Sequence, residues 1–233
     1  MKNSIPENLN KVRHQIADSE KKYARSDGAV QLLAVSKTHA AEKVRIAAET
    51  GQVHFGENYL QEALEKIQQL DALGLTWHFI GPIQSNKTRA IAEYFQWVHS
   101  VEREKIARRL SEQRPAGLPS LKVLLQVNIS HEASKAGVTL EALPSLAESV
   151  AGLPRLELAG LMSIPEPTRD VDRQRQNFRL LREARDELIS RGHDTCKHLS
   201  MGMSNDFEAA IAEGATIVRI GTDIFGPREI VNR

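Results

Sequence analysis

The feature that most constrains the fold of this 233-residue chain is a regular alternation of short apolar runs with longer helical stretches. The runs are rich in β-branched and aromatic residues, which favour strands. Strands that alternate with helices are typical of right-handed βαβ units and of a parallel sheet. The eight predicted strands are Leu32–Ser36, Val53–Phe55, Trp77–Ile80, Trp97–His99, Lys122–Asn128, Leu156–Met162, His198–Met201 and Ile217–Ile220. The predicted helices that follow them cover about 40–50, 58–73, 86–95, 102–113, 139–151, 171–191 and 205–213.

The number of strands favours closure of the sheet into a single (β/α)8 TIM barrel, which takes roughly 250 residues. A doubly wound open sheet of about five or six strands is the alternative, because several of the runs are short. An extra amphipathic helix is predicted from Pro6 to about Arg25, and the last helix is expected after Phe225. No Gly/Ser linker divides the chain, so we expect one α/β domain over 1–233, with 1–27 as its N-terminal helix.

Composition and charge narrow the class of protein. Lys and Arg total 31 and Asp and Glu total 30, so the net charge of +1 gives no footprint for nucleic acid. The single cysteine, Cys196, excludes an intrachain disulfide and a Cys-rich zinc site, and we interpret it as a buried apolar side chain. No apolar run approaches the roughly 20 residues of a membrane span. We expect a cytoplasmic monomer that binds neither membrane nor nucleic acid.

Functional residues of such barrels lie at the C-terminal ends of the strands. Lys37 directly follows the apolar run Leu32–Val35 and the small residue Ser36. A lysine in that position would be partly desolvated, which lowers its pKa and makes the neutral amine available for imine formation. The alternative is an ordinary lysine that reaches solvent from the end of a strand.

The last two strands are followed by candidate anion-binding turns. We interpret Ser204 as the N-cap of the helix at 205–213, where free N–H groups would attract an anion. After the last strand, Gly221 and Thr222 offer backbone N–H groups and a hydroxyl, and glycine permits close approach of a ligand. Each piece could be an ordinary turn, but with Lys37 they outline a site for a phosphate-bearing aldehyde.

Arg219 lies two residues before Gly221 and therefore points to the same face of the last strand. An arginine inside a barrel needs a partner, and the pyridine nitrogen of pyridoxal 5′-phosphate (PLP) is one candidate. Because arginine keeps its proton, it would leave that nitrogen unprotonated and the ring a weak electron sink. A structural salt bridge is the alternative.

Seven segments in collinear order resemble the PLP homeostasis protein family, whose barrel is similar to the N-terminal domain of alanine racemase. The resemblance covers nearly the whole chain. The segments are AVSK (34–37), HFGENYLQE (54–62), WHFIGPIQSNK (77–87), QVNIS (126–130), GLMSIP (160–165), LSMGMSNDFEAAI (199–211) and VRIGTDIFG (218–226).

The resemblance implies a role for each candidate residue. Lys37 is expected to carry PLP as a Schiff base, with Arg219 facing the pyridine nitrogen. The remaining expected contacts are Ser204, Gly221 and Thr222 for the phosphate, Ser200 and Met201 in the same loop, and Asn58 and Met162 along the ring. The family is non-catalytic, which implies a protein of intracellular vitamin B6 homeostasis that buffers PLP or delivers it to apo PLP-dependent enzymes.

A low-activity PLP racemase is the first alternative function. Racemisation needs an acid/base group on each face of the substrate, and Lys37 supplies one. In the racemases the other is a tyrosine from a C-terminal β-domain, which we do not expect here because the chain ends soon after the eighth strand. Tyr23, Tyr59 and Tyr94 fall on predicted helices, and only Tyr59 is near the rim. We therefore expect no enzyme activity.

A metal-dependent hydrolase is the second alternative. Four histidines lie on predicted strands, but no HxH pair occurs and acidic residues are sparse at the strand ends, so barrel-core positions are favoured. They are His54, His78, His99 and His198. Helix 171–191 carries many arginines and is interpreted as a solvated face.

A second lysine, Lys135, follows the fifth strand near the same rim. We hypothesise that it takes up PLP by transimination or assists its release, a solvated loop lysine being the alternative.

Overall fold

Eight parallel strands close into a barrel in chain order, and the first strand pairs with the last. The computed structural model describes residues 4–129 and 136–227. The closed barrel confirms the predicted (β/α)8 fold and rules out the open sheet. The strands are β1 (Gln31–Val35), β2 (His54–Glu57), β3 (Thr76–Phe79), β4 (Trp97–Val101), β5 (Leu121–Gln126), β6 (Leu156–Met162), β7 (His198–Ser200) and β8 (Ile217–Ile220). That residues 1–233 form one domain stays a prediction.

A helix follows each strand, and one additional helix precedes the barrel. The additional helix is α1 (Ile5–Lys22), and the others are α2 (Ala41–Glu49), α3 (Leu60–Gln69), α4 (Thr88–Tyr94), α5 (Glu104–Gln113), α6 (Leu143–Ala151), α7 (Val171–Ser190), α8 (Phe207–Ala212) and α9 (Thr222–Phe225). Short 3₁₀ turns at Asp71–Leu73 and Ser85–Lys87 account for the ends of two helices that were predicted too long.

The N-terminal helix was predicted, but it is shorter than expected and ends at Lys22. It starts with a capping box, in which the Ser4 N–H donates to Glu7 Oε2 at 2.7 Å and the Glu7 N–H donates to Ser4 Oγ. Leu9 and Val12 are buried on its inner face, so α1 packs onto the barrel as a ninth helix.

The helix that follows β8, α9, begins directly after Gly221, earlier than predicted. The chain beyond residue 227, where the last helix was expected, lies outside the described residues. The N–H groups of Ile224 and Phe225 both donate to the Gly221 carbonyl at 2.9 Å, which closes a single helical turn. The side-chain amide of Asn8 donates to the Ile224 carbonyl at 3.0 Å. The extra helix α1 thus covers α9 and fixes the chain at the end of β8.

Alternate residues of each strand face different cores. One cluster, which includes Leu33, Trp97, Met162 and Ile217, fills the barrel interior. A larger cluster lies between the strands and the helices and contains the intervening strand residues. The two-residue period therefore assigns Arg219, two positions after Ile217, to the interior.

The interpretation of helix 171–191 as a solvated face was partly wrong. Arg175, Arg179 and Arg182 of α7 bind the Glu213 carboxylate at 2.8, 3.0 and 2.9 Å, and the Glu213 side chain is only 1% exposed. Burial raises the pKa of Glu213, but hydrogen bonds and charges from Arg179 and Arg175 outweigh it and hold the pKa below the ordinary glutamate value. The arginines thus fasten α7 to the end of α8.

Glu213→Gln is expected to lower the free energy of unfolding by about 1–3 kcal/mol at pH 7, because three guanidinium groups lose their shared carboxylate. A carboxyl whose folded-state pKa is lowered stabilises the fold above its unfolded pKa of about 4.3, and that contribution is lost as the pH falls through the folded value. The difference between wild type and variant should therefore shrink below about pH 4. Urea unfolding at several pH values measures it.

Glu187→Gln is the matched control for this prediction. Glu187 pairs with Arg191 on the same helix, but both side chains are about half exposed. Glu187→Gln should lower the free energy of unfolding by no more than about 0.5 kcal/mol. A difference in the free energy of unfolding between wild type and Glu213→Gln that stays the same at every pH would contradict the prediction.

Candidate functional site

Lys37 lies in the turn that follows β1, at the C-terminal end of the barrel. The ladder continues one residue beyond the strand, because the Ser36 N–H donates to the Gly56 carbonyl at 3.1 Å. The Ser36 side chain is buried on the outer face of the sheet, where its hydroxyl donates to Glu57 at 2.6 Å. Strand alternation then directs Lys37 toward the barrel axis, where it is half-buried.

Arg219 lies inside the barrel on β8, in register with Leu33 of β1. It is 5% exposed, and its guanidinium donates to the Ser200 carbonyl at 2.6 Å, to Ser200 Oγ at 2.8 Å and to the Ser163 carbonyl at 2.9 Å. The structural salt bridge considered for it is not among the ion pairs of the described residues. Hydrogen bonds to two neighbouring strand ends hold Arg219 instead.

The charge and free donors of Arg219 suit it to a ligand. Burial lowers the pKa of Arg219 to about 10, so the side chain remains a cation at neutral pH. A guanidinium has five N–H donors, and the three bonds above leave two without a partner among the described residues. A neutral aromatic nitrogen is an acceptor that such a donor can bind.

A chain of histidines connects Arg219 to the opposite end of the barrel. His54 Nδ1 lies 3.0 Å from His78 Nε2, His78 Nδ1 lies 2.9 Å from His99 Nε2, and His99 Nδ1 lies 2.9 Å from Ser200 Oγ. His54 lies at the N-terminal end of the barrel, beside a cavity of about 520 Å³ between α1 and the first residues of β1 and β2. The histidines were predicted on separate strands, but no local pattern indicates the hydrogen bonds between them, because the members of the chain come from four strands.

The histidines are neutral at physiological pH. Burial, followed by the charges of neighbouring groups, holds the pKa of both His78 and His99 well below the usual range. Each neutral imidazole donates once and accepts once. Since Ser200 Oγ accepts from Arg219, its O–H is free to donate to His99, and each hydrogen bond from Ser200 to His54 then joins one donor to one acceptor.

This arrangement bears on the metal-hydrolase alternative. His78 and His99 are fully buried, which confirms their assignment to the barrel core. Across residues 4–129 and 136–227, no group of three or more His, Cys, Asp or Glu side chains is placed to hold a metal ion.

Several polar atoms near the rim are buried without a hydrogen-bond partner among the described residues, and two of them belong to residues that directly follow a strand. These two are Asn58 Oδ1, after β2, and Ser163 Oγ, after β6. Met162, beside Ser163, is 1% exposed and belongs to the interior cluster. Buried polar atoms are normally paired, so these two suit the polar substituents of a bound ring. Asn58 and Met162 were predicted; Ser163 was not.

The interpretation of Ser204 as a helix N-cap was wrong. Helix α8 begins at Phe207 with Asp206 as its N-cap, and Ser204 lies in the preceding turn. The N–H groups of Asp206 and Phe207 both donate to the Met203 carbonyl, at 3.1 and 2.9 Å, and this double contact sets the start of the helix. Ser204 remains half-exposed in the loop between β7 and α8.

Gly221 and Thr222 form the start of α9, where the first N–H groups of a helix lack carbonyl acceptors. A Cβ at Gly221 would lie 3.0 Å from the Val35 carbonyl oxygen, so the absence of a side chain lets β8 approach the end of β1 closely. Gly221 therefore lies beside Val35, two residues before Lys37 in the chain.

Ser200 and Met201 face opposite ways. Ser200 Oγ is inside the barrel between Arg219 and His99. Met201 is 0% exposed and packs in the outer core between strands and helices. Strand alternation thus turns the Met201 side chain away from the axis, and a contact of Met201 with the cofactor stays a prediction.

Three other expectations concern Lys135, Cys196 and the absence of a membrane span. Lys135 lies outside the described residues. Cys196 is fully buried, which confirms its interpretation as a buried side chain, and burial raises the pKa of its thiol to about 12. Within the described ranges, no helix combines the length and apolar character that a membrane span requires.

Comparison with known proteins identifies the class. The sequence profile described as "Alanine racemase, N-terminal domain" matches residues 8–229. The fold and the lysine at the end of β1 thus define a barrel of the alanine racemase N-terminal type.

Curated relatives narrow this to one group. The pyridoxal phosphate homeostasis protein of Pseudomonas aeruginosa is 60% identical to this chain, over 97% of this chain and 96% of its own length. The protein of the same name from Escherichia coli K12 is 50% identical, over 97% of this chain and 98% of its own length. The chain therefore belongs to the pyridoxal phosphate homeostasis protein family, which confirms the resemblance.

Solved structures agree with this assignment. PipY of Synechococcus elongatus with PLP bound is 37% identical, covers 96% of this chain and 100% of its own, and has a TM-score of 0.84. Without PLP, the same protein has a TM-score of 0.86. Alanine racemase from Corynebacterium glutamicum is only 17% identical and shares the fold alone, with a TM-score of 0.70. The match covers 97% of this chain and 63% of the racemase.

Proposed function

We propose that this protein binds PLP, holds it as a Schiff base on Lys37, and acts in intracellular PLP homeostasis by buffering the cofactor or delivering it. The observation that carries the proposal is Arg219, a buried cation with two donors to spare on the strand next to the one that ends at Lys37. The aldehyde of PLP can form a Schiff base with the Lys37 amine, and its pyridine nitrogen can accept a hydrogen bond from Arg219. Membership in the family and the PLP-bound PipY structure support the same conclusion.

We propose a specific contact with PLP for each candidate residue at the C-terminal end of the barrel. Lys37 forms the covalent bond, Arg219 donates to the pyridine nitrogen, and Ser204 with the first N–H groups of α9 at Gly221 and Thr222 binds the phosphate. Asn58 and Met162 line the ring, and Ser163 joins them because its buried hydroxyl needs a partner. Ser200 acts through Arg219, which its hydroxyl and carbonyl hold in place.

We propose storage and transfer, with no turnover. Arg219 keeps the pyridine nitrogen unprotonated, which limits the ring as an electron sink. The curated relatives are named as homeostasis proteins. Tyr59 was considered as a second base; it precedes α3 and is 53% exposed at the rim, where water would compete for any proton transfer. We further propose that the protein is a cytoplasmic monomer and that apo PLP-dependent enzymes are its recipients.

Two measurements on the wild-type protein test this function. Borohydride reduces a Schiff base to a stable amine, so reduction followed by peptide mass analysis should place PLP on the peptide that contains Lys37. Incubation of the holo-protein with an apo PLP-dependent enzyme should then restore that enzyme's activity, beside a control with the same concentration of free PLP. Label absent from Lys37 would overturn the covalent site, and an apo-enzyme that stays inactive would overturn delivery.

The racemase alternative is tested on the same preparation. Holo-protein incubated with L-alanine in deuterated water should show no exchange of the α-hydrogen above that caused by free PLP. Exchange that depends on Tyr59 would replace the carrier proposal with a racemase.

A further inference from the structure

A cluster of buried charged residues on the outer face of the barrel forms hydrogen bonds with the residues on both sides of Lys37. The cluster consists of Glu57 at the end of β2 and Glu62 and Lys66 on α3. Lys66 is 3% exposed and Glu57 is 0% exposed, although charged side chains are rarely fully buried unless they are paired. No local pattern in the sequence marks any of the three.

All three hydrogen-bond donors of the Lys66 ammonium are used. Its ammonium donates to the Ser36 carbonyl at 2.7 Å, to Glu57 Oε1 at 2.7 Å and to Glu62 Oε1 at 2.6 Å. An ammonium has three donors, so each finds an acceptor. This lysine is therefore fixed on the outer face of the sheet and does not compete with Lys37 for an aldehyde.

The residues on either side of Lys37 are both bound to this cluster. On one side, Ser36 donates through its hydroxyl to Glu57 Oε1 at 2.6 Å and accepts from Lys66 through its carbonyl. On the other side, the Thr38 N–H donates to Glu62 Oε1 at 2.6 Å. The peptide units that carry the Lys37 side chain are thus held at both ends.

Thr38 shows why the turn needs this support. Its φ is +65°, in the left-handed region that a β-branched residue seldom adopts. The buried Thr38 hydroxyl has no hydrogen-bond partner among the described residues, so its own side chain does not stabilise the turn. Strained backbone of this kind persists only where the surrounding structure imposes it.

We infer that Glu57, Glu62 and Lys66 are positioning residues, which hold the turn around Lys37 so that its amine meets the PLP aldehyde in the geometry that Schiff-base formation needs. They act from the outer face of the sheet and touch no cofactor. In the step that they support, the neutral Lys37 amine forms a C=N bond to the aldehyde carbon, the C=O bond breaks, and the oxygen leaves as water with the two amine protons. The inference rests on the proposed function, because it assumes that Lys37 is the PLP lysine.

Glu62→Ala is the test variant, because Glu62 is 29% exposed and its truncation leaves the Lys66–Glu57 pair in place. The rate of Schiff-base formation with PLP, followed by its visible absorbance, should fall about tenfold or more, since small misplacements of a reacting group cost up to about 100-fold. Affinity for pyridoxine 5′-phosphate, which lacks the aldehyde, should stay within about twofold of wild type, because the ring and phosphate contacts are unchanged.

Two matched variants separate positioning from general damage. Glu62→Gln keeps an acceptor oxygen for the Thr38 N–H and should restore most of the rate. Glu65→Ala removes an exposed carboxylate from the same helix and should behave as wild type. Lys66→Met should slow the reaction at least as much as Glu62→Ala.

Hydrogen exchange of the Thr38 amide in the cofactor-free protein gives a readout independent of PLP. Exchange should be faster in Glu62→Ala and unchanged in Glu65→Ala. A wild-type rate of Schiff-base formation in Glu62→Ala, or a parallel loss of pyridoxine 5′-phosphate binding, would overturn the inference. A wild-type protein that forms no Schiff base at Lys37 would overturn the proposed function itself.

Discussion

Lys37→Ala is expected to abolish covalent retention of PLP. The variant lacks the amine that attacks the aldehyde, and the other described lysine close to this turn, Lys66, is engaged with three acceptors. After incubation with PLP and borohydride, no label should remain on the protein, whereas wild type should retain it. Weak, reversible binding through the phosphate should persist, because the contacts proposed at α9 are unchanged.

The control for this prediction is Lys105→Ala, which removes an exposed lysine from α5. It should retain PLP like wild type. The free energy of unfolding of Lys37→Ala should stay within about 1 kcal/mol of wild type, because the side chain is half-buried and outside the regular strands. Label that persists in Lys37→Ala would place the covalent bond elsewhere; the same experiment on Lys135→Ala would then test the hypothesis made for that residue.

Gly160→Ala is expected to have the largest effect on stability. Gly160 lies on β6 opposite His198 of β7, where a Cβ would come closer than 3.0 Å to the carbonyl oxygen, carbonyl carbon and Cα of His198. The register between β5 and β6 also shifts at this point of β6. Since both strands are fixed by their ladders, the clash cannot be relieved by rotation of a side chain. We expect a loss of at least about 3 kcal/mol in the free energy of unfolding.

Gly152→Ala is the matched control for Gly160→Ala. Gly152 follows helix α6, and a Cβ there would meet only the Glu148 carbonyl oxygen at 3.8 Å. That substitution should leave stability unchanged or raise it slightly, because alanine lowers the entropy of the unfolded chain. Thermal and urea unfolding of the two variants measure the difference, and equal midpoints would contradict the close packing of β6 against β7.

The sequence predicted much of the candidate site because strand-end residues follow a local pattern. The apolar run before Lys37 and the two-residue spacing of Arg219 from Gly221 predict a strand-end lysine and an inward-facing arginine, and the structure has both. Local patterns do not set the finer details. Contacts with Met203 start the helix at Phe207, so Ser204 is not its N-cap, and alternation turns the Met201 side chain outward.

Amino-acid order alone determined the number and order of the strands and the parallel sheet, and it placed the C-terminal end of each strand to within two residues, because these depend on side-chain periodicity over a few neighbours. Only the tertiary structure decided what those residues contact. His99 meets Ser200 from 101 positions away, and Arg219 meets Ser163 from 56 positions away. Such pairs depend on barrel closure and on the register between strands, which are set by packing across the whole barrel. The cluster of Glu57, Glu62 and Lys66 around the turn at Lys37 became visible for the same reason.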